Sequence, residues 1–450
     1  MVYMFITKSD PGIEVLLEKV EGRMKVLSYW PSKKRSIKGY LIYSFTAYFL
    51  LQTVFLMIMN WQRWDFGFKV LSVENLNYLN GVMSLATDAF INTRRTTLFF
   101  EIMSKRYHTY QVYSTNKTNM KTKKLQEKFE TMRKSIVKDM EGRGIFLVSF
   151  SENILNGYYA SQILSPLFGI IFFFLGYARL DRLSPPFVFY FPGITSTQYP
   201  DIRSISNFIL ICLVEFLQIA YASWLTFLLF SCLVITVNNI VVEMKLFEIN
   251  LEEFNAFYGE KSAELARSGE NCELQNDISG TSRCFQGNFD DKVSYHACLK
   301  HCIRNMAIHH QTIYKKIRML NTMFSYSMFY ANTFICFQLC FAIFCFQIGD
   351  LVFKIKYGLL LVSMLMLQYA YSENGQMVKD EVEKVRLALN ECEWEGHPSW
   401  FYPYFQMMLI QSSIQPKLNV FNIFTMDRKN MASVVQAAYS YFNLLSRLTK

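Results

Sequence analysis

A membrane-spanning helix needs about 20 consecutive, mostly apolar residues, and this 450-residue chain returns to that pattern along its whole length. The clearest instance is 39–61 (GYLIYSFTAYFLLQTVFLMIMNW), with Trp61 and Trp64 where an aromatic belt would sit. Further apolar runs at 73–91, 163–177, 208–237, 323–348, 352–371 and 431–448 bring the expected spans to seven. The second is interrupted by Asn75, Asn77, Asn80 and Asp88, so one of its faces should meet protein or water instead of lipid. The third is the apolar end of a long helix starting near Ser135, whose polar part projects from the bilayer. Composition agrees. With 52% hydrophobic, 16% aromatic and only 18% charged residues, the chain has more apolar surface than water tolerates, which argues against a soluble two-domain enzyme and against a disordered chain. The fold class expected is all-α, a seven-transmembrane helical membrane protein.

Charge sets the orientation. Of the 46 Lys and Arg residues, 37 fall before the first span or after the second, fourth and sixth. By the positive-inside rule the N-terminus is cytoplasmic and the C-terminus extracellular, the reverse of a G-protein-coupled receptor. The one N-x-S/T sequon, Asn116-Lys117-Thr118, then falls on the cytoplasmic side, where it would stay unglycosylated. Residues 1–38 carry eight basic side chains and no apolar core of about 7–15 residues, so a secretory leader is not expected. Outside, 178–206 holds Pro185, Pro186, Pro192 and Pro200 among aromatics, the composition of an ordered lid. Inside, 94–143 and 243–318 are long, with a polar, flexible stretch at 268–288.

The last span is the most informative. Ser433, Gln436, Ser440, Asn443 and Arg447 recur in steps of three and four, which places them along one narrow helical face. A lipid-facing helix would not keep such a stripe. Two readings stand: polar glue between helices, or the wall of a water-filled pathway built by several chains about an axis. Leu444 lies beside the stripe near its outer end, where an apolar ring could gate by dewetting. The chain therefore divides into a cytoplasmic N-terminal segment (1–38), spans one to six (39–375), a cytoplasmic anchor or assembly segment (376–426) and a pore-lining seventh helix (427–450).

Other clusters point to no chemistry. His296, Cys298, His301 and Cys302 approach metal-ligand spacing, with His309 and His310 following, but no second C-x2-C half exists and a solvated cytoplasmic helix is the default. The ten Cys are scattered, as expected of reduced thiols. The lysines of 117–128 read as attraction to anionic lipid headgroups, not nucleic acid. No phosphate loop, nucleophile elbow or catalytic carboxylate pair is present, so neither an enzyme nor a cofactor is expected.

From Gly375 onward the sequence resembles the carboxyl end of insect odorant receptors. The shared pattern comprises Asn374-Gly375 closing span six, Ala388 and Trp394 in the linker, Gln411, Pro416, Phe424, and the closing Ser440-Tyr441-Phe442 with Leu444-Leu445. Pro186-Phe187 with Pro192 is similar to the family's second outer loop. The resemblance implies a ligand-gated, non-selective cation channel of four subunits, with a pore formed by span seven, in which tuning receptors assemble with an olfactory co-receptor. It also implies a plasma-membrane location, in olfactory sensory neuron dendrites. The family's apolar gate lands on Leu444 and its polar pore position on Arg447, where the co-receptor usually has Gln. A ring of four Arg would oppose cations, so a heteromer is favoured.

The resemblance further implies a pocket for small volatile ligands in the outer half of spans two, three, four and six, beneath the lid. The candidates at that depth are Tyr78, Val82 and Met83; Ser165, Phe168 and Phe172; Phe208, Ile211, Cys212 and Glu215; and Met364 and Leu367. Most of these residue types are equally at home in an ordinary core. Glu215 differs, because a carboxyl within an apolar span is costly unless it serves a ligand or a partner. The sister gustatory receptors close on Thr-Tyr, five apolar residues and Gln-Phe, whereas Ser440-Tyr441 and Arg447-Leu448 stand here. A transporter would be expected to show internal repeats and broken helices.

Overall fold

The computed structural model describes residues 37–62, 66–91, 120–176, 205–259, 292–348, 351–414 and 416–448, together with 18, 20–22, 99, 101 and 102. The order of elements is α1 (Ile37–Asn60), α2 (Phe66–Ile91), α3 (Met120–Phe174), α4 (Ile205–Phe254) continued by a π-helical turn (Asn255–Gly259), α5 (Lys292–Ile348) and α6 (Leu351–Asn390). A short α7 (Tyr402–Ser413), a two-stranded hairpin of β1 (Asn419–Val420) and β2 (Phe424–Thr425), and α8 (Arg428–Leu448) complete the chain. Most of the lid (178–204), most of 1–38 and the stretch 260–291 lie outside the described residues.

At 1.5 Å per residue, a helix of 50 residues such as α4 is ~75 Å long, more than twice the ~30 Å of a bilayer's hydrocarbon. The long helices α3 to α6 therefore have room for a membrane part and a water-side extension. Among the described residues, Tyr43–Asn60, Ile205–Gly259 and His296–Gln347 are long and apolar enough to cross a membrane. The helix α2 falls short for a physical reason. Its Ser72, Glu74, Asn75 and Ser84 are polar yet buried in protein, with Asn75 Nδ2 donating to Thr53 Oγ1 of α1 at 3.3 Å.

Two boundaries differ from the sequence expectation. The helix α2 begins at Phe66 instead of 73, and α3 is already helical at Met120 instead of near 135. Charged pairs at helical spacing support the early part of α3: Lys134 meets Glu130 at 2.8 Å, an i, i+4 arrangement. At its other end α3 stops at Gly176, whose φ of +76 admits the left-handed turn that terminates a helix.

The centre of the molecule is α4. Every residue from 227 to 244 is buried, with α3, α5 and α6 packed around it. In its membrane part the contacts are apolar, through Phe227, Phe230, Leu233 and Val237. Further along it carries buried polar groups that find partners on its neighbours. Lys316 of α5 donates to Glu243 at 2.7 Å and to Asn239 at 2.9 Å, and His309 Nε2 lies 2.9 Å from the other oxygen of Glu243. All three ionisable side chains are at most 1% exposed. Arg133 of α3 pairs with Glu253 and Asn250, and Asn238 donates to the Met140 carbonyl. Removing one partner from such a buried set costs about 3–5 kcal/mol, because the other charge stays buried.

The chain enters α8 through a gripped linker. Asn321 of α5 donates to the Lys417 carbonyl at 2.9 Å and accepts from the Asn419 amide at 3.2 Å. The hairpin pairs Asn419 with Thr425 and Val420 with Phe424, and its turn places Phe421 and Asn422 at φ of 49 and 59. That backbone is natural for Asn but strained for Phe, and the Phe421 ring is held against Phe329 and Tyr326. At Gly375 a side chain would collide with the Met426 backbone, so α6 and the chain just before α8 approach as closely as chains can.

Glu248 on the water-side part of α4 is pushed up to about 7 by burial and by the charge of Glu381. A carboxyl raised in the folded state favours folding fully below its unfolded value near 4.5 and loses that contribution as pH rises through 7. We expect Glu248→Gln to match the parent's thermal stability near pH 4.5 and to exceed it at pH 8, by on the order of 1–3 kcal/mol, in melting curves of purified protein.

Candidate ligand cavity and pore helix

The helices α2, α4, α5 and α6 enclose a cavity whose empty volume is about 680 Å³, counting the space at its opening. Tyr78, Gly81 and Val82 line it from α2; Ala222, Thr226 and Leu229 from α4; Tyr330, Ala331, Phe334 and Ile335 from α5; Met364, Leu367 and Tyr371 from α6. Its wall includes three small residues, Gly81, Ala222 and Ala331. Gly81 is the tightest: an added Cβ would come within 2.8 Å of the Phe334 ring. Among the described residues no charged side chain lines the wall, and the polar side chains that do carry hydroxyls, those of Tyr78, Thr226, Tyr330 and Tyr371. Thr226 donates to the Ala222 carbonyl at 2.9 Å, and Tyr371 sets its ring edge against Phe230 at 5.0 Å. Such a chamber suits a neutral, largely apolar molecule with few hydrogen-bonding atoms.

One turn from Tyr78 along α2, Glu74 is buried at 2% exposure and accepts a hydrogen bond from Tyr357 of α6 at 2.6 Å. Asn332 of α5 and Gln368 of α6 are joined at 3.0 Å. These polar contacts hold α2, α5 and α6 in register on either side of the cavity.

Of the residues expected from sequence to line a pocket, Tyr78, Val82, Met364 and Leu367 share this cavity. Met83 is half-buried and off the wall. Phe208 and Cys212 are buried in a separate small cluster with Ile170, Phe173, Ile205 and Phe216, and Ile211 is buried outside the wall as well. The side chains of Ser165, Phe168, Phe172 and Glu215 lie outside the described residues. The difference on α4 is one of depth. Its first turns pack on α3, and only from Ala222 onward does it face the space between α2, α5 and α6. The α5 wall was not expected at all, and its alternation of small and aromatic residues (Tyr330-Ala331, Phe334) is the signal that marks it.

In α8 the polar stripe is on the outside of the chain. Val434 and Ala438 are buried against α5 and α6, while Ser433, Gln436, Ser440 and Arg447 are exposed and Asn443 is half-buried. Leu444 is 55% exposed on the same side, beside Tyr441 at 57%. Among the described residues, α8 packs on α5 and α6 through Val434 and Ala438, while Ser433, Gln436, Ser440 and Arg447 face away. The base of α8 is fixed: Asp427 accepts from the Asn430 amide at 3.0 Å, an N-cap, and from Lys379 at 3.2 Å. Burial alone would raise the Asp427 carboxyl, but these donors and Thr425 hold it below its usual value. Arg428 forms a bidentate pair with Glu373 of α6.

The His/Cys group of the water-side helix does not converge. Cys302 is buried and directed at Met306, whereas His301 is exposed and bonded to Asn305, and among the described residues no three His, Cys, Asp or Glu side chains are placed to hold a metal. His310 is buried and driven down to about 4 by that burial and by His309. The described cysteines carry free thiols.

The model of the 7tm Odorant receptor family matches residues 97–439. No curated protein matches the chain in sequence. Among solved structures, the insect olfactory receptor OR5 from Machilis hrabei in complex with eugenol superposes with a TM-score of 0.68, at 11% identity, over 98% of this chain and 100% of that one. A second structure of that receptor gives a TM-score of 0.66 at 11% identity, over 97% and 99%. At that identity the likeness speaks for the fold alone. The family match extends over most of the chain, α2, α4, α5 and α6 meet around one neutral cavity, and α8 closes the sequence with its polar face outward: the chain is a helical membrane protein of the 7tm odorant receptor family.

Proposed function

We propose that this chain is a ligand-binding subunit of an odorant-gated, non-selective cation channel, with the neutral cavity between α2, α4, α5 and α6 as its ligand site. The observation that carries the reading is the wall itself: among the described residues it offers hydroxyls and apolar groups and no charged side chain, as a site for small neutral molecules should. The solved relative of the same fold was determined with eugenol, a small neutral aromatic. The chain crosses the plasma membrane seven times with its N-terminus inside, and α8 lines a pore shared by four subunits. Leu444 forms the apolar constriction, with Gln436, Ser440 and Asn443 on the wall below it. Arg447 beyond the gate disfavours four identical chains about one axis, since four positive charges there would repel cations. An olfactory co-receptor in the other positions dilutes that charge, and the water-side segment 376–426 serves the assembly.

Expression in oocytes with and without the co-receptor, under a panel of volatile compounds, tests the reading. A ligand-evoked cation current only in the co-expressing cells is the expected result, and silence across a broad panel with both chains at the surface would overturn it. Gly81→Ala should force the Phe334 ring into the cavity and raise the half-maximal concentration of the bulkiest active compounds about tenfold, that is ~1.4 kcal/mol, with smaller ones less affected. Arg447→Gln should increase the cation current per channel at unchanged ligand sensitivity, read from single-channel recordings.

A further inference from the structure

Beside the cavity wall, three helices meet on one oxygen atom. Asn332 Oδ1 of α5 accepts from Gln368 Nε2 of α6 at 3.0 Å and from Asn430 Nδ2 of α8 at 2.9 Å. Gln368 is fully buried and Asn332 is 9% exposed. Each of the first two is the sequence neighbour of a wall residue: Ala331 precedes Asn332, and Leu367 precedes Gln368. On a helix, neighbours in sequence are about 100° apart around the axis, so the wall and the bridge are two sides of the same helical turns. A rotation or shift of α5 or α6 that changes the wall at Ala331 or Leu367 must carry Asn332 or Gln368 with it.

We propose that Asn332 is a positioning residue that couples occupancy of the cavity to the base of the pore helix through Asn430. The proposal rests on the reading of the cavity as the ligand site and of α8 as the pore helix. The bridge has the properties of a switch contact. One acceptor serves two donors, while Gln368 Oε1 is buried with no hydrogen-bond partner. A buried acceptor without a donor is costly, so the cluster holds a second place for the Asn430 amide when the base of α8 moves along α6. Two arrangements of nearly equal bonding are what a ligand can bias. The ion pairs of Arg428 with Glu373 and of Lys379 with Asp427 anchor the same helix base to α6 from the water side and set the pivot about which Asn430 swings. If instead these amides were only glue between helices, their loss would lower the amount of folded protein without changing the gating of what remains.

The test uses the full-length chain co-expressed with the co-receptor, with currents normalised to surface-labelled protein. Ligand-free current is compared with current evoked by a panel of neutral oxygenated volatiles, eugenol among them. Asn332→Leu removes the shared acceptor and should change the ligand-free current about fivefold, that is ~1 kcal/mol. Asn430→Ala removes one donor at a half-buried position and tolerates truncation if the first variant does not reach the surface. The double variant should show no further change beyond the larger single effect, because both act on one bond. Unchanged ligand-free and evoked currents per surface channel, or fully additive effects of the two substitutions, would overturn the proposal. The two readings fail separately. If Gly81→Ala alters the response to no compound, the ligand site is wrong, while the ligand-free currents still decide the bridge.

Discussion

The described structure is arranged around α4, which is buried on all sides from 227 to 244. A helix in the middle of a chain satisfies its own backbone hydrogen bonds, but its side chains must find partners in every direction. In the apolar half, those partners are the faces of α2, α5 and α6. In the water-side half, α4 carries Glu243, Asn238, Asn239, Asn250 and Glu253 into the interior, and the structure tolerates them only because Lys316, His309 and Arg133 arrive at bonding distance from α5 and α3. The long helices thus form one continuous body across two solvents, held by packing in one part and by paired charge in the other.

The cavity is a consequence of that packing and a departure from it. Interiors are close-packed, so an open space among four helices needs a cause. Small residues, Gly81, Ala222 and Ala331, stand among the larger side chains of its wall, and Gly81 lets the Phe334 ring pack directly on the α2 backbone. The polar contacts that frame the space, Glu74 with Tyr357 on one side and Asn332 with Gln368 on the other, fix helices that the missing bulk would leave free to collapse. The same framing contacts extend to α8 through Asn430, so the cavity and α8 share one polar joint.

Much of this was legible in the residues. The apolar runs marked long helices, three of which are long and apolar enough to cross a membrane among the described residues, and the three-four spacing in 433–447 marked a distinct face that the structure leaves largely on the outside of the chain. Tyr78, Val82, Met364 and Leu367 were placed by depth and do meet at one cavity. The α4 candidates, Phe208 to Glu215, stand about two to four turns before the first wall residue of that helix, Ala222, because depth along a helix says nothing about which neighbour it meets there. The α5 wall was missed for the same reason: Tyr330, Ala331, Phe334 and Ile335 look like ordinary core until the helices opposite them are known.

The sequence by itself determined the helices, their order, the chemistry of each face and the family, since these follow from periodicity, hydropathy and local motifs. Only the tertiary structure decided which faces meet. The buried charge network pairs residues 66 to 120 positions apart, and the amide bridge joins α5 to a helix 98 positions on. Contacts of that kind leave no periodic trace in the chain, because each depends on the rotation and height of two separate helices, which are settled jointly by everything packed around them.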